Sequence, residues 1–151
     1  GGGQENRRRS GTENVPSLAG FGLACKLAAK RLSAYEETCR PLRDYLEGQL
    51  RKKIPQSVIH GIAAPRLANT VSASFPGEDG ESLVIQLDIA GVCVSTGSAC
   101  GSKKRTSSRI LTAMGVPPPQ RRATLRFSLN TTTTKNEIDL AVKSLTEIIS
   151  Q

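Results

Sequence analysis

Between Leu18 and Ile54 the apolar residues return every three or four positions: Leu18, Phe21, Leu23, Leu27, Ala28, Leu32 and Tyr35, then Leu42, Tyr45, Leu46, Leu50 and Ile54. That spacing keeps one stripe of an α-helix apolar. It predicts a helix over residues 14–55, longer than is usual in a globular protein. A kink is expected near Pro41, whose ring and missing N–H disturb a helix interior. Glu13 or Asn14 can cap the start, with Pro16 in the first turn. Arg51, Lys52 and Lys53 set cations at the negative end of the helix dipole, and Pro55 stops it. Cys25 and Cys39 fall within the helix and read as packing residues.

Shorter elements follow. Val58-Ile59-His60-Gly61 reads as a strand and turn. His60 is the only histidine; without a ligand partner nearby in sequence it reads as surface or structural rather than catalytic. Residues 69–75 alternate as a strand, and Pro76, Gly77 and Gly80 make a turn. Glu81 to Ala90 has helical spacing, Gly91 ends it, and residues 92–95 read as a short strand. Arg109 to Met114 can form a short helix started by Ser107 or Ser108. Pro117-Pro118-Pro119 reads as a stiff connector. In the strand 123–129, Leu125, Phe127 and Leu129 face the core and Thr124, Arg126 and Ser128 face away. Thr133 or Thr134 caps a last helix over 136–149. Aromatic residues are 3% of the 151 residues, with no Trp, so the core is aliphatic. The order predicts a small α+β layer domain with helices covering one face of a mixed sheet.

Three places carry chemistry. The stretch after Val94, Ser-Thr-Gly-Ser-Ala-Cys-Gly-Ser, contains only small residues, and Lys103, Lys104 and Arg105 follow it. A cationic neighbourhood lowers a thiol's pKa and favours the nucleophilic thiolate. Cys100 is therefore either a small structural cysteine or a reactive thiol, and local chemistry leaves both open. Arg126 is a charge in mid-strand: a solvated arginine, or a bidentate clamp for a carboxylate. Residues 1–12 form a glycine-rich basic loop. Arg7, Arg8 and Arg9 with Ser10, Gly11 and Thr12 offer donors to a phosphate, or form a disordered basic terminus.

The net charge of +8 suits an anionic partner or simple solubility. The four cysteines form no C-x-x-C pair, which argues against a zinc site and suits a reducing compartment. No apolar run approaches the ~18 residues of a membrane span. The first residue is Gly, not Met, so the chain is expected to be a piece of something longer.

Taken together, several stretches resemble the C-terminal part of cysteine desulfurases, in the class V aminotransferase family of pyridoxal-phosphate enzymes. They are GGGQE with RSGT over residues 1–12, NTVSASFPGEDGESLVIQLD over 69–88, VSTGSAC over 94–100, ILTAMG over 110–115 and LRFSLN over 125–130. The resemblance implies the small C-terminal domain of a fold-type I enzyme, its mixed or antiparallel sheet preceded by a long helix. Residues 1–13 would be a loop of the large cofactor domain, 14–55 the connecting helix, and 56–151 the small domain with the cysteine loop at 95–108.

By the same resemblance, Cys100 accepts sulfur from L-cysteine, leaving L-alanine and a Cys100 persulfide. Arg126 binds the substrate carboxylate. Thr12 reaches the phosphate of pyridoxal 5'-phosphate in the partner subunit of a homodimer, with Arg9 shaping that region. The acceptor would be an iron–sulfur scaffold or a tRNA-thiolation protein, in the cytoplasm or an organelle, with no membrane and no direct nucleic-acid partner. The family's Ser-x-His-Lys motif, which holds the Schiff-base lysine, is missing; His60 precedes Gly61. This stretch alone is therefore expected to be inactive. The alternatives are a persulfide carrier loaded by another enzyme and a basic nucleic-acid or protein binding module.

Overall fold

The computed structural model describes residues 1–96 and 108–150. By contact the chain divides into two compact units, Gly1–Ala34 and Tyr35–Gln151. The border falls inside the long helix α1, Val15–Lys53, which runs through Pro41.

The first unit holds a turn at Gln4–Arg7 and the first half of α1. Glu5, Asn6 and Arg7 occupy the left-handed region, with φ of 52°, 53° and 64°, so the segment is a folded turn inside the expected loop. Asn14 is the N-cap: its Oδ1 accepts the Ser17 N–H at 3.2 Å. No residue of this unit is buried. Cys25 is exposed, against the expectation of packing, while Cys39 further along the same helix is fully buried. Helical periodicity marks which residues share a face; it does not supply a layer to cover that face.

The second unit is built on three strands, β1 (Val58–Ile59), β2 (Thr70–Ser74) and β3 (Thr124–Ser128). They lie in the order β1-β2-β3 and every pairing is antiparallel, so the expected mixed sheet is antiparallel. Helices α2 (Gly80–Ile89), α3 (Arg109–Ala113), α4 (Pro118–Arg122) and α5 (Lys135–Ile149) complete it.

The strands alternate, so Val71 and Ala73 on β2 and Leu125 and Phe127 on β3 point to one side. There they meet Leu46 and Leu50 of α1, Leu83 and Leu87 of α2, and Val142 and Leu145 of α5 in one aliphatic core. The α2 cap is Asp79, accepting from Ser82 N–H at 3.0 Å. A capping box of Thr134 with Glu137 starts α5. The loop after β1 is tied to α1 by charge: Arg66 Nη1 lies 2.6 Å from Glu47 Oε1, and Arg43 Nη1 donates to Leu67 O at 3.1 Å.

Two expected elements differ. Residues 92–95 are not a strand; only Ser95 pairs, as a single antiparallel bridge to Arg126. Gly91, at φ 79°, turns the chain out of α2, and Val92 N–H donates back to Leu87 O at 2.8 Å. Val92 is thus spent on closing the helix. The proline run is not an extended connector: Pro118 and Pro119 open α4. A proline loses nothing in a first helical turn, where its missing N–H has no intrahelical partner.

Candidate functional site

On the side of the sheet away from the core, one row of residues crosses the second unit in register. His60 N–H donates to Ser72 O at 2.8 Å. Ser72 pairs with Arg126. Arg126 pairs on its other side with Ser95 through two backbone bonds, Ser95 N to Arg126 O at 3.2 Å and Arg126 N to Ser95 O at 2.6 Å. The row therefore reads His60, Ser72, Arg126, Ser95. Arg126 and Ser128 are exposed while their neighbours Leu125 and Phe127 are buried. The sheet so presents a guanidinium flanked on both sides by small hydroxyl residues. A fixed fork of N–H donors in such a setting suits a carboxylate bound through two oxygens.

His60 ends this row without taking part in its open face. It is 8% exposed, and its Nε2 lies 2.5 Å from Ser74 Oγ. Ser74 Oγ lies 2.7 Å from Thr124 Oγ1, which donates to Gln120 O at 2.7 Å. One assignment uses each proton once: His60 donates to Ser74, Ser74 to Thr124, and Thr124 to the α4 carbonyl. Burial pushes the His60 pKa down, which keeps the ring neutral. The histidine is a structural residue, as expected.

Thr12 lies in the first unit and is exposed. Its carbonyl accepts Arg9 Nη1 at 3.3 Å, and Arg9 also reaches Gly11 O at 3.4 Å. Gly11, at φ 100°, donates its N–H to Gln4 Oε1 at 3.3 Å. Beside this turn, the Arg9 guanidinium and the hydroxyls of Ser10 and Thr12 are donors of the kind a phosphate takes up. Cys100 lies outside the described residues, as do Lys103, Lys104 and Arg105. Among the described residues, no group of three or more His, Cys, Asp or Glu is placed to hold a metal ion.

Ser72 and Ser95 were not singled out in the sequence. The alternation in Thr70-Val71-Ser72-Ala73-Ser74 does place three hydroxyls on one face, but only the register sets Ser72 opposite Arg126.

Residues 2–141 match the family described as Aminotransferase class-V. Over its whole length the chain is 41% identical to the cysteine desulfurase IscS of Methanosarcina thermophila, covering 37% of that protein. It is 38% identical to the cysteine desulfurase IscS of Dictyoglomus turgidum, covering 38% of it. Among solved structures, a NifS-like protein from Rickettsia africae superposes on all of this chain with a TM-score of 0.84 at 35% identity. The chain covers 39% of that protein. It thus spans well under half the length of the relatives it matches.

Proposed function

Because this chain belongs to the class-V aminotransferase family, we propose that it is the C-terminal part of a pyridoxal-phosphate-dependent cysteine desulfurase. The observation that carries this reading is the match of the entire chain to relatives named cysteine desulfurase at 41% and 38% identity. The substrate is L-cysteine. Its Cβ–S bond breaks, an S–S bond forms to Sγ of Cys100, the carbon skeleton takes up the proton, and L-alanine leaves. No external oxidant or reductant is needed. Pyridoxal phosphate supplies the electron sink that makes the substrate carbon acidic.

Within this chain, Arg126 holds the substrate carboxylate. Thr12, with Arg9, contributes donors to the cofactor phosphate across a homodimer. Sγ of Cys100 takes up the substrate sulfur and passes it to the acceptor. The lysine that binds the cofactor comes from other parts of the full-length protein, since residues 1–151 carry no Ser-x-His-Lys motif. Residues 1–13 belong to the large domain, 14–55 connect, and 56–151 form the small domain. The acceptor is an iron–sulfur scaffold or a tRNA-thiolation protein, in a reducing cytoplasm or organelle.

The test is an assay of the full-length protein for alanine and sulfide from L-cysteine. Cys100→Ala should lower sulfide release at least about a hundredfold, as loss of a nucleophile does, while the cofactor's absorbance is retained. Full activity in Cys100→Ala, or no alanine from the parent, overturns the reading.

A further inference from the structure

Helix α4 sits at the Ser74 and Thr124 end of the sheet, yet none of its five residues is buried. Polar contacts fasten it. Ser74 Oγ and Thr124 Oγ1 both reach Gln120 O, at 3.0 and 2.7 Å. Phe75 N–H donates at 2.9 Å to the carbonyl of Ala123, the C-cap of α4. Arg121 Nη1 donates to Thr112 Oγ1 of α3. The tautomer of His60 decides whether this fastening is complete. With a proton on Nε2, His60 donates to Ser74, and the two hydroxyl protons serve Thr124 Oγ1 and Gln120 O. With the proton on Nδ1 alone, Nε2 takes the Ser74 proton, and either the Ser74–Thr124 contact or Gln120 O goes without one. The neutral ring therefore carries its proton on Nε2. Its Nδ1 has no hydrogen-bond partner among the described residues.

A second proton on Nδ1 makes a buried cation with one N–H unpaired. Around it, β1 and β2 carry no charged residue, β3 carries Arg126, α4 carries Arg121 and Arg122, and the turn after β1 carries Arg66. These are cations, and Arg66 already holds Glu47 of α1 at 2.6 Å. Burial, with no contribution from a charge, lowers the His60 pKa. Relief has to come from water, and so from an opening. The three strands are held by their ladders and by the core, whereas α4 buries nothing and is the least costly element to lift.

We propose that His60 is a pH-sensitive latch for α4: neutral, it completes the hydroxyl relay that holds the Gln120 carbonyl; protonated, it favours a locally open state in which α4 leaves the sheet and water reaches the ring. The latch belongs to the fold and stands whatever reaction the full-length protein catalyses. It acts on the strand that carries Arg126, since Thr124 is two residues away on β3.

The experiment is amide hydrogen exchange of the full-length protein at pH 7.5 and 5.5, followed by mass spectrometry and corrected for the intrinsic rate at each pH. An open state that alone binds the proton, at the ordinary value of 6.5, gains about tenfold in population at pH 5.5. Protection of peptides covering 117–124 should therefore fall about tenfold in the parent, while peptides covering 138–149 of α5 change less than about twofold. His60→Gln places an N–H donor near the Nε2 position but does not titrate, so its protection over 117–124 should hold within about twofold between the two pH values. His60→Leu removes the donor, and should lower protection there about fivefold already at pH 7.5, the effect of one hydrogen bond, with no further fall at pH 5.5. Unchanged protection of 117–124 in the parent at pH 5.5 overturns the proposal, since the ring would then reach water without moving α4. An equal fall in His60→Gln overturns it by assigning the proton to another group, and an equal fall in α5 by marking global unfolding. A His60→Leu protein as protected as the parent at pH 7.5 shows that the relay does not hold α4.

Discussion

His60 shows how a single residue can be misjudged by type and still be read correctly from context. A lone histidine in a small basic chain invites a catalytic reading, yet its Nε2 is spent on Ser74 and the residue is buried. The consequence is a pH dependence of stability with a definite sign. Burial lowers the folded-state pKa below the ordinary value of 6.5, so the unfolded chain binds the proton more readily. Stability from this residue is whole above that ordinary value and falls as pH drops through it toward the lower folded-state value. The urea midpoint of the parent should therefore decline between pH 7.5 and 5.5, and His60→Gln should show a smaller decline across the same window. Equal slopes would show that His60 does not titrate differently on folding. Arg126 was legible in a different way. Strand alternation put it opposite Leu125 and Phe127, and the burial of its neighbours follows that pattern. What surrounds it was not legible, because Ser72 and Ser95 come from segments tens of residues away and register is a property of the folded pairing.

Elements were most legible where local chemistry decides them. The Thr134 and Glu137 pair that opens α5 is a side-chain to backbone exchange, complete within four residues. The stretch at 92–95 failed for the converse reason: an apolar run after a glycine can be a strand or the closing contact of a helix, and long-range pairing chooses. Glycines in helices make the same point, since sequence gives a flexible residue and the fold gives its reason. Gly80 begins α2 against the end of α4 and the start of β3, where a Cβ would stand 2.6 Å from Arg122 O, 3.3 Å from Thr96 Cγ2 and 3.5 Å from Thr124 O. Gly48, in the interior of α1, would place a Cβ with nothing within 4 Å. Gly80→Ala must therefore displace backbone and should destabilise by about 1–3 kcal/mol, the range for forced overpacking. Gly48→Ala should stabilise by about 0.5–1 kcal/mol, because it removes unfolded-state freedom without a clash. Denaturant midpoints of the two variants should move in opposite directions; movement in the same direction would mean that the start of α2 does not sit against the Arg122 carbonyl as closely as described.

At the scale of the whole molecule, helical periodicity alone misleads about where the core is. The apolar stripe of α1 runs from Leu18 to Leu50, yet its two ends meet different surroundings. Leu46 is 1% exposed and packs with the sheet, α2 and α5, whereas Leu18 is 58% exposed and the unit that contains it buries no residue. The sheet's core face was readable because strand side chains alternate at period two; the extent of a helix's burial was not, because it depends on which other elements reach it. The difference is measurable in this chain. Leu46→Ala removes side-chain volume from a closed aliphatic core and should cost about 2–5 kcal/mol. Leu18→Ala changes a solvated position and should stay within about 0.5 kcal/mol, with alanine's better helix propensity offsetting what little contact is lost. Urea unfolding of residues 1–151 followed by circular dichroism should thus show a large drop in midpoint for Leu46→Ala and almost none for Leu18→Ala. Similar losses at both positions would require that Leu18 be covered in solution, and would place the first half of α1 inside a folded core.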